Sequence, residues 1–222
     1  MRYHSAMVRT GIALAALLAC GATLGAFEPS LDPRSLTEAV DLGQSRIDDA
    51  RSRFHAPYHI DVMQPPVDYI EIVTPFRRVA LDAEAYARAG QRLYGQREAL
   101  ATLGDNPSRV DVVAELTFHP LNNYLGVPAL TVTLGGSNGA TINPINTVST
   151  PRFGPRVSGM PLANPAVVAG AVGPQRSQPL LGGTIVATFD GLALDARGVY
   201  VIVVRDNGKD VAKATVDLGR LR

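Results

Sequence analysis

Apolar and polar positions alternate most regularly near the end of the chain, over residues 184–218, and there the alternation also predicts a pairing register. Asn207-Gly208 is the strongest short hairpin signal, because a type I′ turn needs positive φ at both central residues and Asn and Gly adopt it at least cost. With those two residues as the loop, Asp206 faces Lys209 and Arg205 faces Asp210, two pairs of opposite charge. Further in, Val203 meets Ala212, Val201 meets Ala214 and Val199 meets Val216, so this face is apolar throughout and is the expected core face. The other face sets Tyr200, Ile202 and Val204 against Thr215, Lys213 and Val211, half apolar and therefore partly wet. Upstream, Ile185, Ala187 and Phe189 alternate with Val186, Thr188 and Asp190, and a turn-rich link joins this strand to the hairpin as a three-stranded antiparallel unit.

The same period of two marks Val110, Val112, Ala114, Leu116 and Phe118 as the inward face of a half-buried strand. Leu130, Val132 and Leu134 give the next strand, and Ile70 and Ile72 share one face of a short one over 67–74. Two stretches carry the helical period instead. Leu36, Val40, Gly43, Ile47 and Phe54 fall on one side of a helix whose other side is charged, and its apolar stripe is expected to dock on the body. Asp32-Pro33 and a capping box of Ser35 and Glu38 both read as its start, and Pro57, Pro65 and Pro66 bar its continuation. A second helix over 75–103 has Thr74 as cap, Pro75 in its first turn and the stripe Phe76, Val79, Ala80, Ala83 and Ala87, with Gly90 and Gly95 as break points. The pattern predicts a mainly β fold: an antiparallel β-sandwich of about six strands with two N-terminal amphipathic helices and a long irregular insert.

That insert runs from Thr141 to Gly183, where periodicity is lost among seven prolines and the only charges are Arg152, Arg156 and Arg176. Irregular stretches of this length inside a compact domain are functional or disordered. A mobile surface loop is expected, with an ordered binding flap as the alternative, and the insert is the first candidate for a recognition element.

Export is written at the other end of the chain. Residues 1–19 combine Arg2 and Arg9 with an apolar run from Gly11 to Ala19, the layout of a secretory signal peptide and too short to span a bilayer. Leu17-Leu18-Ala19-Cys20, followed by Gly21, resembles the lipobox of bacterial lipoproteins, with Leu18 where a small residue is most often seen. By that resemblance cleavage falls before Cys20, its thiol and amine are acylated, and Gly21 fits sorting to the periplasmic side of the outer membrane. Cys20 is the only cysteine, so no internal disulfide exists. The alternative is ordinary cleavage after Ala22 or Ala26, releasing a soluble periplasmic or secreted protein. The expected plan is a signal peptide over 1–19, a tether with the first helix over 20–66, and a β-rich domain over 67–222.

Composition narrows the partners. The chain has 222 residues, 46% hydrophobic and 18% charged, enough to bury one or two domains' worth of core. Loss of Arg2 and Arg9 with the signal leaves 19 basic against 20 acidic residues, and no basic block or aromatic-studded basic strand marks a nucleic-acid partner. Strand spacing and the closing hairpin, Gly198 to Lys209, make the C-terminal part loosely similar to immunoglobulin-like modules, without the Trp and cysteine pair of a true immunoglobulin domain.

Three arrangements invite chemistry. Gly135-Gly136-Ser137-Asn138-Gly139 fits the pattern of a nucleophile elbow after a strand, but no helix pattern follows and the last histidine, His119, lies upstream. A hairpin turn is the expected reading. His55, His59 and Asp61 are the weak candidates for metal ligands, and Pro57 spoils the helical spacing that would aim both imidazoles at one ion. Asp111 and Glu115 share a strand face, which outward alternation accounts for. No phosphate-binding loop or dinucleotide fingerprint is present, and no cofactor is implied. The functional expectation is a non-enzymatic exported envelope lipoprotein, an interaction or assembly module held to the membrane through Cys20 and meeting another envelope protein. The alternatives are a periplasmic hydrolase or metal-dependent enzyme using Ser137 or the His55, His59 and Asp61 group, and a soluble ligand carrier with the insert as lid.

Overall fold

The structure is a computed structural model that describes residues 26–91, 93–119, 122, 124–137, 139–154 and 180–222. Cys20, Arg156 and Arg176 lie outside the described residues. In chain order the elements are α1 (Pro33–Gly43), α2 (Asp48–His55), β1 (His59–Gln64), β2 (Val67–Val73), α3 (Pro75–Arg88), α4 (Gln96–Leu103), β3 (Arg109–Thr117), β4 (Leu130–Gly135), β5 (Thr141–Ile142), β6 (Asn146–Phe153), β7 (Leu180–Asp190), β8 (Val199–Asp206) and β9 (Lys209–Asp217). Among the described residues the chain is thus mainly β, with nine strands in two antiparallel sheets ordered β1-β2-β3-β7-β6 and β5-β4-β8-β9.

The count exceeds the six expected strands by β1, β5 and β6. β1 lies between prolines, and its alternating Ile60 and Val62 pack on the core, since proline bars a helix but not an edge strand. β6 and β7 come from the two ends of the stretch expected to be irregular. They pair from Asn146↔Thr188 to Phe153↔Leu180.

The closing hairpin forms around Asn207 and Gly208, both at positive φ. Asp206 pairs with Lys209 and Arg205 with Asp210 as expected, but a bulge between Val204 and Arg205 then moves the ladder by one residue. Val204 meets Ala212, Ile202 meets Ala214 and Tyr200 meets Val216, and these six form the inward face. The expected core face of β8 is therefore corrected: Val199 and Val201 are exposed at 46% and 40%. Placing one extra residue, Val211, on β9 lets the charged pairs stay at the turn while Tyr200 and Ile202, the largest apolar side chains of β8, turn inward. β7 also departs from the expected three-stranded unit. It pairs with β3 from Arg109↔Asp190 to Thr117↔Gly182 and so belongs to the other sheet. The chain changes sheet through the 3-10 turn Gly191–Ala193, whose Gly191 N–H donates to Ser108 O at 3.2 Å.

Two apolar clusters result. The first joins both sheets: Ile70, Ile72, Val110, Val112, Leu116, Ile185 and Phe189 from one, with Leu130, Val132, Tyr200, Ile202 and Val216 from the other. The second is helical, with Leu36, Ala39 and Val40 of α1 against Phe76, Val79 and Ala83 of α3 and Ala99 and Leu103 of α4. Phe54 packs against both. The expected first helix is two, broken at residues 44–47, and it starts at Asp32, whose carboxylate accepts from Ser35 N at 2.7 Å. Glu38 is engaged elsewhere, by Arg34 and by Arg222, so the box with Ser35 gives way. Thr74 caps α3 by accepting from Arg77 N, and the helix expected over 75–103 is divided, α3 ending at Arg88 just before Gly90, at φ 73°. Among the described residues no helix is long and apolar enough to cross a membrane.

Candidate functional site

The residues nominated from sequence do not converge. His59 and Asp61 are two apart on β1, hence on one face, with His59 Nε2 3.2 Å from Asp61 Oδ1 and Nδ1 3.4 Å from Glu71 Oε1. His55 is elsewhere, in the last turn of α2, facing Glu84 of α3. Among the described residues no group of three or more His, Cys, Asp or Glu is arranged to hold a metal ion. Ser137 sits in the turn between β4 and β5, where Gly136 N donates to Ala140 O at 2.9 Å and Gly139 N to Gly136 O at 3.0 Å. A strand follows that turn where a nucleophile elbow needs a helix.

Asp111 and Glu115 are not the solvated pair that alternation implies. Asp111 is buried beneath Arg78 of α3, at 3.2 Å, and accepts from Thr188 Oγ1 at 2.7 Å. Burial also presses the Arg78 guanidinium below its ordinary range, against the opposing pull of Asp111. Arg152, the one described arginine of the insert, is a brace on the face of its own sheet. Its Nη2 donates to Leu116 O at 2.9 Å and lies 3.2 Å from Glu115 Oε1, reaching across β7 above Gly182. A Cβ on Gly182 would stand 2.6 Å from that Nη2, so glycine is what opens the crossing.

A cleft of about 640 Å³ does gather charged side chains, where α1 and α3 end. Its lining includes Gln44, Arg46, Arg51, Glu84, Arg88 and Gln91. Glu84, 7% exposed, is the hub: Arg51 Nε lies at 3.2 Å, His55 Nε2 at 3.3 Å and Arg88 Nη2 at 2.6 Å. Arg51 also donates to Ser45 O and to Asp48, binding the carbonyl end of α1 to the start of α2. No residue of α2 is fully buried, so Phe54 and these bonds to Glu84 hold it in place. Burial holds the His55 imidazole below its ordinary pKa, the Arg77 charge adds to this, and Glu84 opposes it. Geometry agrees, because Nδ1 is buried without a partner among the described residues and a proton there would find no acceptor.

No family model, curated protein or solved structure matches the chain. What the site can do therefore rests on its own geometry. Glu84 Oε1 is held by the Arg51 and Arg88 guanidinium groups and Oε2 by the His55 imidazole, so the carboxylate works as an anchor between helices rather than as a free base. The sequence carried one signal for the hub, the spacing of Arg51 and His55, four residues apart and so on one helix face. Nothing in it joins them to Glu84, whose place beside Arg88 reads as an exposed ion pair.

The second open feature is β6. All eight of its residues are exposed, including Val148 at 51% and Phe153 at 47%. Thr147 and Ser149 pair with the inward Ala187 and Ile185, yet they too are exposed. Among the described residues β6 is paired on one side alone.

Proposed function

We propose that the chain is a non-enzymatic envelope lipoprotein, held to the membrane through Cys20, whose two sheets pack face to face as a sandwich and present β6 to another envelope protein. The single observation that carries the interaction role is an eight-residue edge strand exposed on both faces. Such an edge offers a row of backbone donors and acceptors, the usual template for strand addition by a partner. The sandwich reading is supported by the apolar cluster shared between the sheets and by the approach of their edges, where Lys213 N of β9 donates to Gln64 Oε1 of β1 at 3.2 Å. The anchor reading rests on the signal layout ending at Cys20.

Two experiments test it. Under globomycin an unprocessed precursor accumulates if lipoprotein signal peptidase cuts before Cys20; normal processing rules out the anchor. A photo-crosslinker placed at Val148 captures one reproducible envelope protein and a crosslinker at exposed Thr215 of β9 does not; equal capture from both positions sinks the β6 reading.

A further inference from the structure

The linkers that close the cleft, residues 44–47 between α1 and α2 and residues 89–95 between α3 and α4, are tied together where Gln44 Nε2 donates to Tyr94 O at 2.9 Å. Both contribute to one lining, through Gln44, Ser45 and Arg46 on one side and Gly90 and Gln91 on the other. Each also carries an uncovered apolar side chain: Ile47 is 63% exposed and Leu93 89%. Leu100 on α4 is exposed as well, at 58%, but Ile47 and Leu93 sit on the two linkers that meet at the cleft, and their exposure there calls for a cause.

The cleft lining sets three guanidinium groups, Arg46, Arg51 and Arg88, against the single carboxylate of Glu84, while Asp48 and Asp49, both exposed, follow Ile47 on α2. Arg51 is committed to Glu84, to Asp48 and to Ser45 O just past the end of α1. Arg88 spends one nitrogen on Glu84 and remains 74% exposed along its side chain. Arg46 is exposed and makes no ion pair among the described residues. Two guanidiniums with free donors therefore border an open cleft, and helix capping accounts for neither Arg46 nor the exposed Ile47 and Leu93.

We propose that this end of the helical layer docks on an anionic lipid surface, with a phosphate-bearing headgroup taken between Arg46 and Arg88 while Ile47 and Leu93 enter the interface. The guanidinium fork suits a phosphate diester. The apolar pair distinguishes a lipid surface from a free phosphate, which has nothing to offer Ile47 or Leu93. The inference rests on the envelope reading for the supply of a membrane.

Every residue of both cores lies between Phe27 and Leu221, so the chain from Gly21 onward keeps the whole fold and removes the acyl anchor from the measurement. Its co-sedimentation is measured with vesicles of phosphatidylcholine alone and with three parts phosphatidylcholine to one of phosphatidylglycerol. Binding is expected only to the second, weakening with salt. Arg46→Gln should lower the partition coefficient about fivefold, the ~1 kcal/mol that one basic residue contributes at an anionic surface. Ile47→Ser with Leu93→Ser should lower it about tenfold while leaving the circular dichroism melt in place, because both side chains are exposed. Equal binding to the two vesicles, or binding indifferent to all three changes, overturns the proposal. So does saturable binding of inorganic phosphate without vesicle binding, which would make the cleft a site for free anions. The globomycin result stands apart: normal processing would remove the anchor while leaving these vesicle measurements intact.

Discussion

Adding one methyl group at Gly43 tests how closely α1 and α3 cross. A Cβ built there would lie 2.3 Å from Ala80 O, 2.7 Å from Ala83 Cβ and 3.0 Å from Glu84 N. The first and last are backbone atoms of α3 and cannot swing aside. Carbon and carbonyl oxygen come no closer than about 3.3 Å even in a weak hydrogen bond, so the helices must part by roughly 1 Å. A gap of that size forfeits a quarter to a half of the dispersion between facing side chains, here Leu36, Ala39 and Val40 against Phe76, Val79 and Ala83. Against this stands the helix propensity of alanine over glycine, about 1 kcal/mol at most. Overpacking costs about 1–3 kcal/mol and the lost contacts add to it, so Gly43→Ala should destabilise by about 1–3 kcal/mol net. For a chain of this size that is roughly 3–10 °C in Tm. Thermal and urea unfolding followed by circular dichroism measures it, with Gly126→Ala as control, since a Cβ there meets nothing within 4 Å. A Gly43→Ala protein as stable as the parent, or more stable, would show that the helices do not cross at this distance and would undo the placement of Glu84 beside α2.

Gly182→Ala should cost about 2–3 kcal/mol in urea unfolding, because its Cβ would meet Leu116 O at 2.0 Å and push Arg152 off β3; loss of less than half of that would mean β7 yields there easily. Ile202→Ala should cost about 2–5 kcal/mol and Val201→Ala less than about 1, since the first is fully buried and the second 40% exposed; the reverse order would restore the unbulged hairpin. His55 supplies a pH dependence whose sign follows from its lowered pKa in the folded state. The unfolded imidazole takes its proton first, near pH 6.5, so stability is full above that pH and is lost as pH falls from there through the folded value. Stability measured from pH 7.5 to 5 should therefore fall more steeply in the parent than in His55→Gln, and parallel curves would show that His55 is free to charge.

What was legible in the sequence follows burial on one face. β2, β3, β4 and β7 each set apolar residues on one side, and Ile70, Val112, Val132 and Ile185 lie where that alternation puts them. β6 was illegible for the complementary reason: with both faces exposed, no face selects apolar residues, and Pro151 is tolerated because an edge strand has a free side. The hairpin failed more instructively. Its turn chemistry and its charged pairs were right, and so was the inward face of β9, but an alternating pattern cannot report a single unpaired residue. β8 admits either face, since Val199, Val201 and Val203 are as apolar as their neighbours, and only the bulk of Tyr200 and Ile202 decides.

The charged residues of the helical layer show the same limit for a site. Amphipathic reading sends Arg51, Glu84 and Arg88 to solvent, because it sees one helix at a time. Glu84 is buried only because Gly43 lets α1 come down onto α3 and the short α2 then folds across, bringing Arg51 and His55 over the carboxylate. The cleft is thus a product of helix crossing rather than of any local motif, with the exposed Arg46 on its lining and Ile47 and Leu93 on the linkers that contribute to it. A substitution that moves the helices apart should therefore weaken the lipid contact as well. Gly43→Ala provides that link: its loss of stability and its loss of vesicle binding should go together, whereas Gly182→Ala, destabilising a distant sheet, should leave vesicle binding of the folded protein unchanged.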